Sequence, residues 1–131
     1  MKNLYVCPHC GAVLNPNVKI ILVVHHRGRR GLILLSPQPG NFKFVLDPGV
    51  EATLKPGVAV TFACPACAVD LTSRADRQFA ELNLVVPGQE PRRVEFSRRY
   101  GTHATFIVSG DQVKAYGEDV DDYRRINFFG V

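Results

Sequence analysis

Short apolar runs rich in Val, Ile, Leu and Phe, each closed by Gly or Pro, recur along the chain, and that rhythm predicts strands joined by turns. Candidate strands fall at Lys19–His25, Leu32–Ser36, Phe42–Leu46, Val58–Ala63, Ala80–Val86, Arg93–Ser97, Ala104–Val108 and Val113–Tyr116. Between them lie turn-forming stretches: Arg27–Gly31, Pro37–Gly40, Asp47–Gly49, Lys55–Gly57, Pro87–Pro91 and Ser109–Asp111. Helical signals are confined to two short places. Asp70–Phe79 predicts one or two turns with Thr72 or Ser73 as N-cap. Glu118–Arg125, acids first and arginines last, predicts a short helix near the C-terminus. The expected fold class is mainly β: an antiparallel β-sandwich or barrel-like sheet with one or two short helices.

One local echo stands out. Leu4-Tyr5-Val6 runs into Cys7-Pro8-His9-Cys10-Gly11, and Thr61-Phe62-Ala63 runs into Cys64-Pro65-Ala66-Cys67-Ala68. Each copy is an aromatic-bearing strand leading into Cys-Pro-x-Cys, and the two copies imply a pair rather than a duplicated domain.

With 131 residues, 46% hydrophobic and 21% charged, the chain has the composition of a folded protein that buries its own core and fits a single domain over 1–131. No stretch approaches the ~18 continuous apolar residues of a membrane helix. The start of the chain, with Cys7 arriving so early, does not read as a secretion signal, so the expected compartment is the cytoplasm and no membrane partner is expected. The net charge of +4 sits in the first half: residues 1–65 hold seven Lys/Arg against two acids, residues 66–131 nine against ten. A basic balance permits an anionic partner without requiring one.

These are all the cysteines of the chain, as two pairs with 53 residues between Cys10 and Cys64. In a reducing compartment such pairs serve metal more often than disulfides. Two residues between cysteines let one tight turn aim both sulfurs at a tetrahedral ion, and Pro8 and Pro65 stiffen each turn. Gly11 suits the positive φ that such a turn asks for; Ala68, in the matching place, would adopt it at a cost of order 1 kcal/mol, unless the second turn has another shape. Cys-Pro-His-Cys is also the dithiol of a strong oxidant, but that chemistry uses a helix N-terminus, and the segment after Cys10 carries Gly11 and then Pro16.

On these residues the chain resembles the zinc-ribbon and rubredoxin-like proteins, in which two Cys-x-x-Cys knuckles converge on one metal. The resemblance covers 5–12 and 62–70. It implies a four-thiolate site at Cys7, Cys10, Cys64 and Cys67 holding Zn2+, with Fe as the alternative. The long spacer departs from the usual motif and makes 13–61 a β-rich insert clamped at its ends, followed by β-rich 79–117 and a tail 118–131. Loop-closure entropy grows only logarithmically with length, so such a spacer is no obstacle.

Arg27, Arg29 and Arg30 crowd a predicted hairpin tip, and Arg98 and Arg99 follow a strand; both groups are candidate contacts for an anion or nucleic acid. His25 and His26 are adjacent on a strand and face opposite sides. Ile126, Phe128 and Phe129 are expected to fold back onto the core. The acids Glu118, Asp119, Asp121 and Asp122 lack a calcium-loop pattern. No nucleophile elbow, phosphate loop or His-Glu-x-x-His occurs, and a closed four-Cys site leaves no coordination position for substrate. The leading expectation is therefore a small zinc-stabilised binding or regulatory module with a protein partner or self-association favoured over nucleic acid. The alternatives are a rubredoxin-like iron protein passing electrons and an enzyme whose site the sequence does not display.

Overall fold

The computed structural model describes residues 3–123 and Phe128. Nine strands form two antiparallel sheets. The first carries β1 (Leu4–Val6), β6 (Phe79–Val85), β7 (Arg92–Ser97), β8 (Thr105–Ser109) and β9 (Gln112–Tyr116), in that order. The second runs β4 (Phe44–Leu46), β3 (Arg29–Leu35), β2 (Ile20–His26) and β5 (Thr61–Ala63). Of the two expected β architectures, the sandwich is the one formed; neither sheet closes into a barrel.

Alternation along each strand sends one set of side chains between the sheets. Ile20, Leu22 and Val24 of β2 and Ile33 of β3 meet Leu82 and Leu84 of β6, Val94 of β7 and Ile107 of β8 in one buried cluster. The outer face of the five-stranded sheet has a smaller cluster of its own, where Phe79, Phe106 and Val108 are covered by Tyr123 and Phe128. The expectation that the tail folds back thus holds at Phe128; Ile126 and Phe129 lie outside the described residues.

The short echo seen in the sequence extends through the topology. Tyr5 pairs with Leu84 as Phe62 pairs with Val24, Leu22 pairs with Ile33 as Leu82 pairs with Val94, and Ile33 pairs with Leu46 as Val94 pairs with Ile107. Connecting hydrogen bonds repeat too: Leu14 N–H to Tyr5 O matches Leu71 N–H to Phe62 O, and Ile21 N–H to Leu14 O matches Glu81 N–H to Leu71 O. Strands β1–β8 are two copies of a strand–knuckle–three-strand unit, with β9 added after the second, and each leading strand, β1 or β5, crosses to the edge of the other copy's sheet. A pair of short knuckles is therefore the visible part of a whole repeated architecture.

Several local expectations are corrected. Asp70–Phe79 forms no helix: Asp70 and Thr72 bridge to Ala63 and Ala80, and the Asp70 carboxylate accepts the Thr72 N–H at 2.8 Å. The Ser73 hydroxyl accepts the Ala75 N–H at 3.0 Å and donates to Glu95, so the cap-forming side chains close turns instead of opening a helix. Conversely, the turn expected at Asp47 is the start of a four-residue α1 (Pro48–Glu51), with the Asp47 carboxylate accepting the Gly49 N–H at 2.8 Å. Among the described residues, the segment expected as the Glu118–Arg125 helix forms a 3-10 turn at Val120–Tyr123; Arg124 and Arg125 lie outside them. Val58–Val60 does not extend β5; it exchanges hydrogen bonds with Arg98 and Tyr100 and so ties the two sheets together.

Candidate metal centre

Each knuckle grows from the end of an edge strand, Cys7 directly after β1 and Cys64 directly after β5. The two turns have the same hydrogen bonds. Cys7 N–H donates to Ala12 O and Gly11 N–H to Cys7 O, both at 3.0 Å; Cys64 N–H donates to Val69 O at 3.0 Å and Ala68 N–H to Cys64 O at 2.9 Å. Gly11 has φ 74 and Ala68 φ 65, so the alanine takes the left-handed conformation and the knuckles share one shape.

That shape delivers four sulfurs to one point. Cys7 Sγ lies 3.8 Å from Cys67 Sγ and Cys10 Sγ lies 3.7 Å from Cys64 Sγ, with all four within 4.8 Å of one another. Four sulfurs about 2.3 Å from a central ion span tetrahedral edges of about 3.8 Å. The contacts are far longer than the ~2.05 Å of a disulfide. The cluster can hold a metal ion, and the donor set suits a soft or borderline cation.

Amide groups are aimed at the two inner sulfurs. His9 and Cys10 N–H point at Cys7 Sγ at 3.4 and 3.5 Å, and Ala66 and Cys67 N–H point at Cys64 Sγ at 3.3 and 3.5 Å. Such donors neutralise part of the charge that four thiolates accumulate. Cys7 and Cys64 are buried; Cys10 and Cys67 face solvent. Burial pushes the Cys7 thiol up to about 12. At Cys64 the same upward push of burial is outweighed by the Cys67 and Ala66 amides and the neighbouring thiols, and the thiol is held below its ordinary value.

His9 is exposed within the first knuckle, and its backbone N–H, not its ring, serves the site. His25 is exposed, while His26 turns the other way to meet Thr53 Oγ1 at 2.9 Å. A second group of ligand-type side chains, His103, Glu118 and Asp119, is internally satisfied: His103 Nδ1 meets Glu118 Oε1 at 2.9 Å, and the His103 N–H donates to Asp119 Oδ2 at 2.8 Å.

The arginines divide into two kinds. Arg27, with φ 50, and Gly28 form the β2–β3 turn, and Arg29 and Arg30 open β3, all exposed. Arg98 is spent on structure, its Nε donating to Val60 O at 2.9 Å and its Nη1 to Arg77 O at 2.6 Å. Its neighbour Arg99 is exposed and its side chain makes no bond among the described residues.

Sequence reasoning missed a buried polar group on the outer face of the five-stranded sheet. Glu81 and Glu95 are directly opposed on β6 and β7 and both buried. Glu95 accepts from Ser73 and lies 3.2 Å from Arg93 Nε in a geometry that makes no hydrogen bond. Burial pushes its carboxyl up to about 7, with the Glu81 charge adding to the shift and Ser73 and Arg93 opposing it. Alternation marks Glu95 as outward-facing, and it is buried on the face that Tyr123 and Phe128 cover, with Ser73 bonded to it.

Fold and site together define a two-sheet β protein with a knuckle-like four-cysteine cluster joining its sheets. No protein-family model, curated protein or solved structure matches the chain.

Proposed function

We propose that Cys7, Cys10, Cys64 and Cys67 hold one structural zinc ion in the manner of a zinc ribbon, and that the chain is a small cytoplasmic binding or regulatory module. The observation that carries the metal reading is the pair of symmetric sulfur contacts at 3.8 and 3.7 Å, the edge length of a zinc–thiolate tetrahedron. All four positions around the ion are filled by protein sulfur, which favours a structural role over a catalytic one. The ion would fasten β1 of one sheet to β5 of the other, at the two strands that cross between repeats.

A protein partner is favoured over nucleic acid by the outer face of the four-stranded sheet. There Leu32 and Val45 are 54% and 59% exposed, beside Ile21, Val23 and Leu34, while the sister face of the other sheet is covered by Tyr123 and Phe128. Arg98, engaged with two carbonyls, is withdrawn from any basic surface. Among the described residues no helix is long and apolar enough to cross a membrane.

Metal analysis of protein purified without added metal tests the reading. Near-stoichiometric zinc in a colourless protein is expected. A red protein with near-stoichiometric iron would replace it with the rubredoxin-like electron-transfer reading.

A further inference from the structure

A cavity of about 140 Å³ lies between the two sheets. Its floor is apolar and buried, with Val24 and Ile33 from one sheet facing Leu82, Val94 and Ile107 from the other. An apolar cavity of about 150 Å³ accepts a molecule the size of benzene, so this one is large enough for a small ligand with an apolar body.

The mouth has a different chemistry. Two segments frame it, 36–44 before and into β4 and 98–104 between β7 and β8. Lys43, Arg98, Arg99 and His103 all belong to the lining, and no Asp or Glu does. Arg98 is taken by the Val60 and Arg77 carbonyls, and His103 by Glu118. Lys43 and Arg99 are exposed, and their side chains make no hydrogen bond or ion pair among the described residues. Two uncommitted cations at the opening of an apolar hole, with no carboxylate among its walls, favour an anion whose body is apolar.

Ring contacts hold the segment over the mouth. Phe42 stacks on the His103 ring at 4.7 Å and 12°, and Phe44 meets Tyr100 edge-on at 6.0 Å. At the far end the Tyr5 hydroxyl donates to Pro37 O at 2.6 Å and anchors the strap. Gly117, at φ 113, permits the close packing at the latch: a Cβ there would overlap the His103 carbonyl and come within 2.8 Å of the Phe42 ring.

We propose that this cavity binds a small amphiphilic carboxylate, with an apolar body of about six to eight carbon atoms between the sheets and its carboxylate at Lys43 and Arg99. The site is separate from the thiol cluster and does not depend on which metal the cysteines hold.

The test uses the full, metal-loaded chain with octanoate, octylamine and 1-octanol as probes, followed by calorimetry and by methyl NMR. Octanoate is expected to bind about tenfold or more tightly than the amine or the alcohol, and to shift the methyl resonances of Val24, Ile33, Leu82, Val94 and Ile107. The double variant Lys43→Glu, Arg99→Glu should weaken octanoate by about tenfold or more while keeping its metal content. Ile107→Phe, which fills the floor, should also weaken it; if that variant fails to fold, the charge variant and the native methyl map still decide. Octylamine or 1-octanol binding as tightly as octanoate, methyl shifts absent from the cavity, or an unaffected charge variant would each overturn the proposal.

Discussion

Ala68 of the second knuckle occupies the left-handed conformation, φ 65, that Gly11 occupies in the first at φ 74. The two residues donate matching amide hydrogen bonds, to Cys64 O and Cys7 O, yet only one has the side chain suited to that conformation. The strain at Ala68 is tolerated because the knuckle must present both of its sulfurs in one direction. Ala68→Gly is therefore expected to stabilise the protein by about 0.5–1 kcal/mol, and Gly11→Ala to destabilise it by about 1 kcal/mol. Urea titration at a fixed excess of zinc reads both; a loss of stability in Ala68→Gly would contradict the shared-knuckle geometry.

Glu95 makes stability depend on pH. Its folded pKa, about 7, lies above the ordinary carboxylate value of 4.5, so the folded state binds the proton more tightly than the unfolded state. The associated stability is complete below about pH 4.5 and is lost as pH rises through about 7, a change on the order of 3 kcal/mol. Between pH 5.5 and 8.5 the urea midpoint of the native chain should fall, and Glu95→Gln should flatten that dependence. A native profile that rises over the same interval would contradict the assignment.

Arg98 and Arg99 are neighbours in sequence with opposite fates. Arg98→Gln should cost about 1–2 kcal/mol through the loss of its bonds to Val60 O and Arg77 O, while Arg99→Gln should change stability by less than about 0.5 kcal/mol. Thermal unfolding of the two variants side by side distinguishes these roles; equal effects would remove the structural role given to Arg98.

How far the sequence could be read follows from where the decisive contacts lie. The strands after Leu32, before Val86 and around Val94 were legible because Gly and Pro punctuate runs of β-branched and aromatic residues, a local signal. The four cysteines were legible because their spacing is local within each knuckle, even though 53 residues separate the pairs. Asp70–Phe79 was misread because Thr72 and Ser73 carry the same cap chemistry whether they begin a helix or close a turn, and the contact of Ser73 with Glu95 that decides is distant in the chain. The repeat stayed hidden because its match is in register and not in residue type: Leu34 and Glu95 stand at equivalent positions, as do Ile21 and Glu81, and the chain offset between the copies shifts on entering β2 and β6 and again on entering β3 and β7. Glu95 itself reads as a solvent-facing position until Tyr123 and Phe128 cover its face.

Removing the metal should loosen the molecule unevenly. In the proposed zinc-bound form the ion would join β1 to β5, whose sheet pairings, with β6 and β2, are only three residues long. A strong chelator is expected to raise amide exchange first at Leu4–Val6 and Thr61–Ala63 and last in β6 and β7, which hydrogen exchange read by mass spectrometry resolves. Uniform loss of protection across both sheets would show instead that the whole fold depends on the metal. Exchange unchanged by the chelator would argue against a clasp.

X-ray absorption at the metal edge of the purified chain, paired with native mass spectrometry, addresses the central claim most directly. One zinc per chain with four sulfurs at about 2.3 Å is the predicted result, and any single Cys→Ser change at Cys7, Cys10, Cys64 or Cys67 should lower the sulfur count by one or release the ion. A chain that carries no metal and presents four freely reactive thiols, or one whose metal is bound by only one cysteine pair, would contradict it.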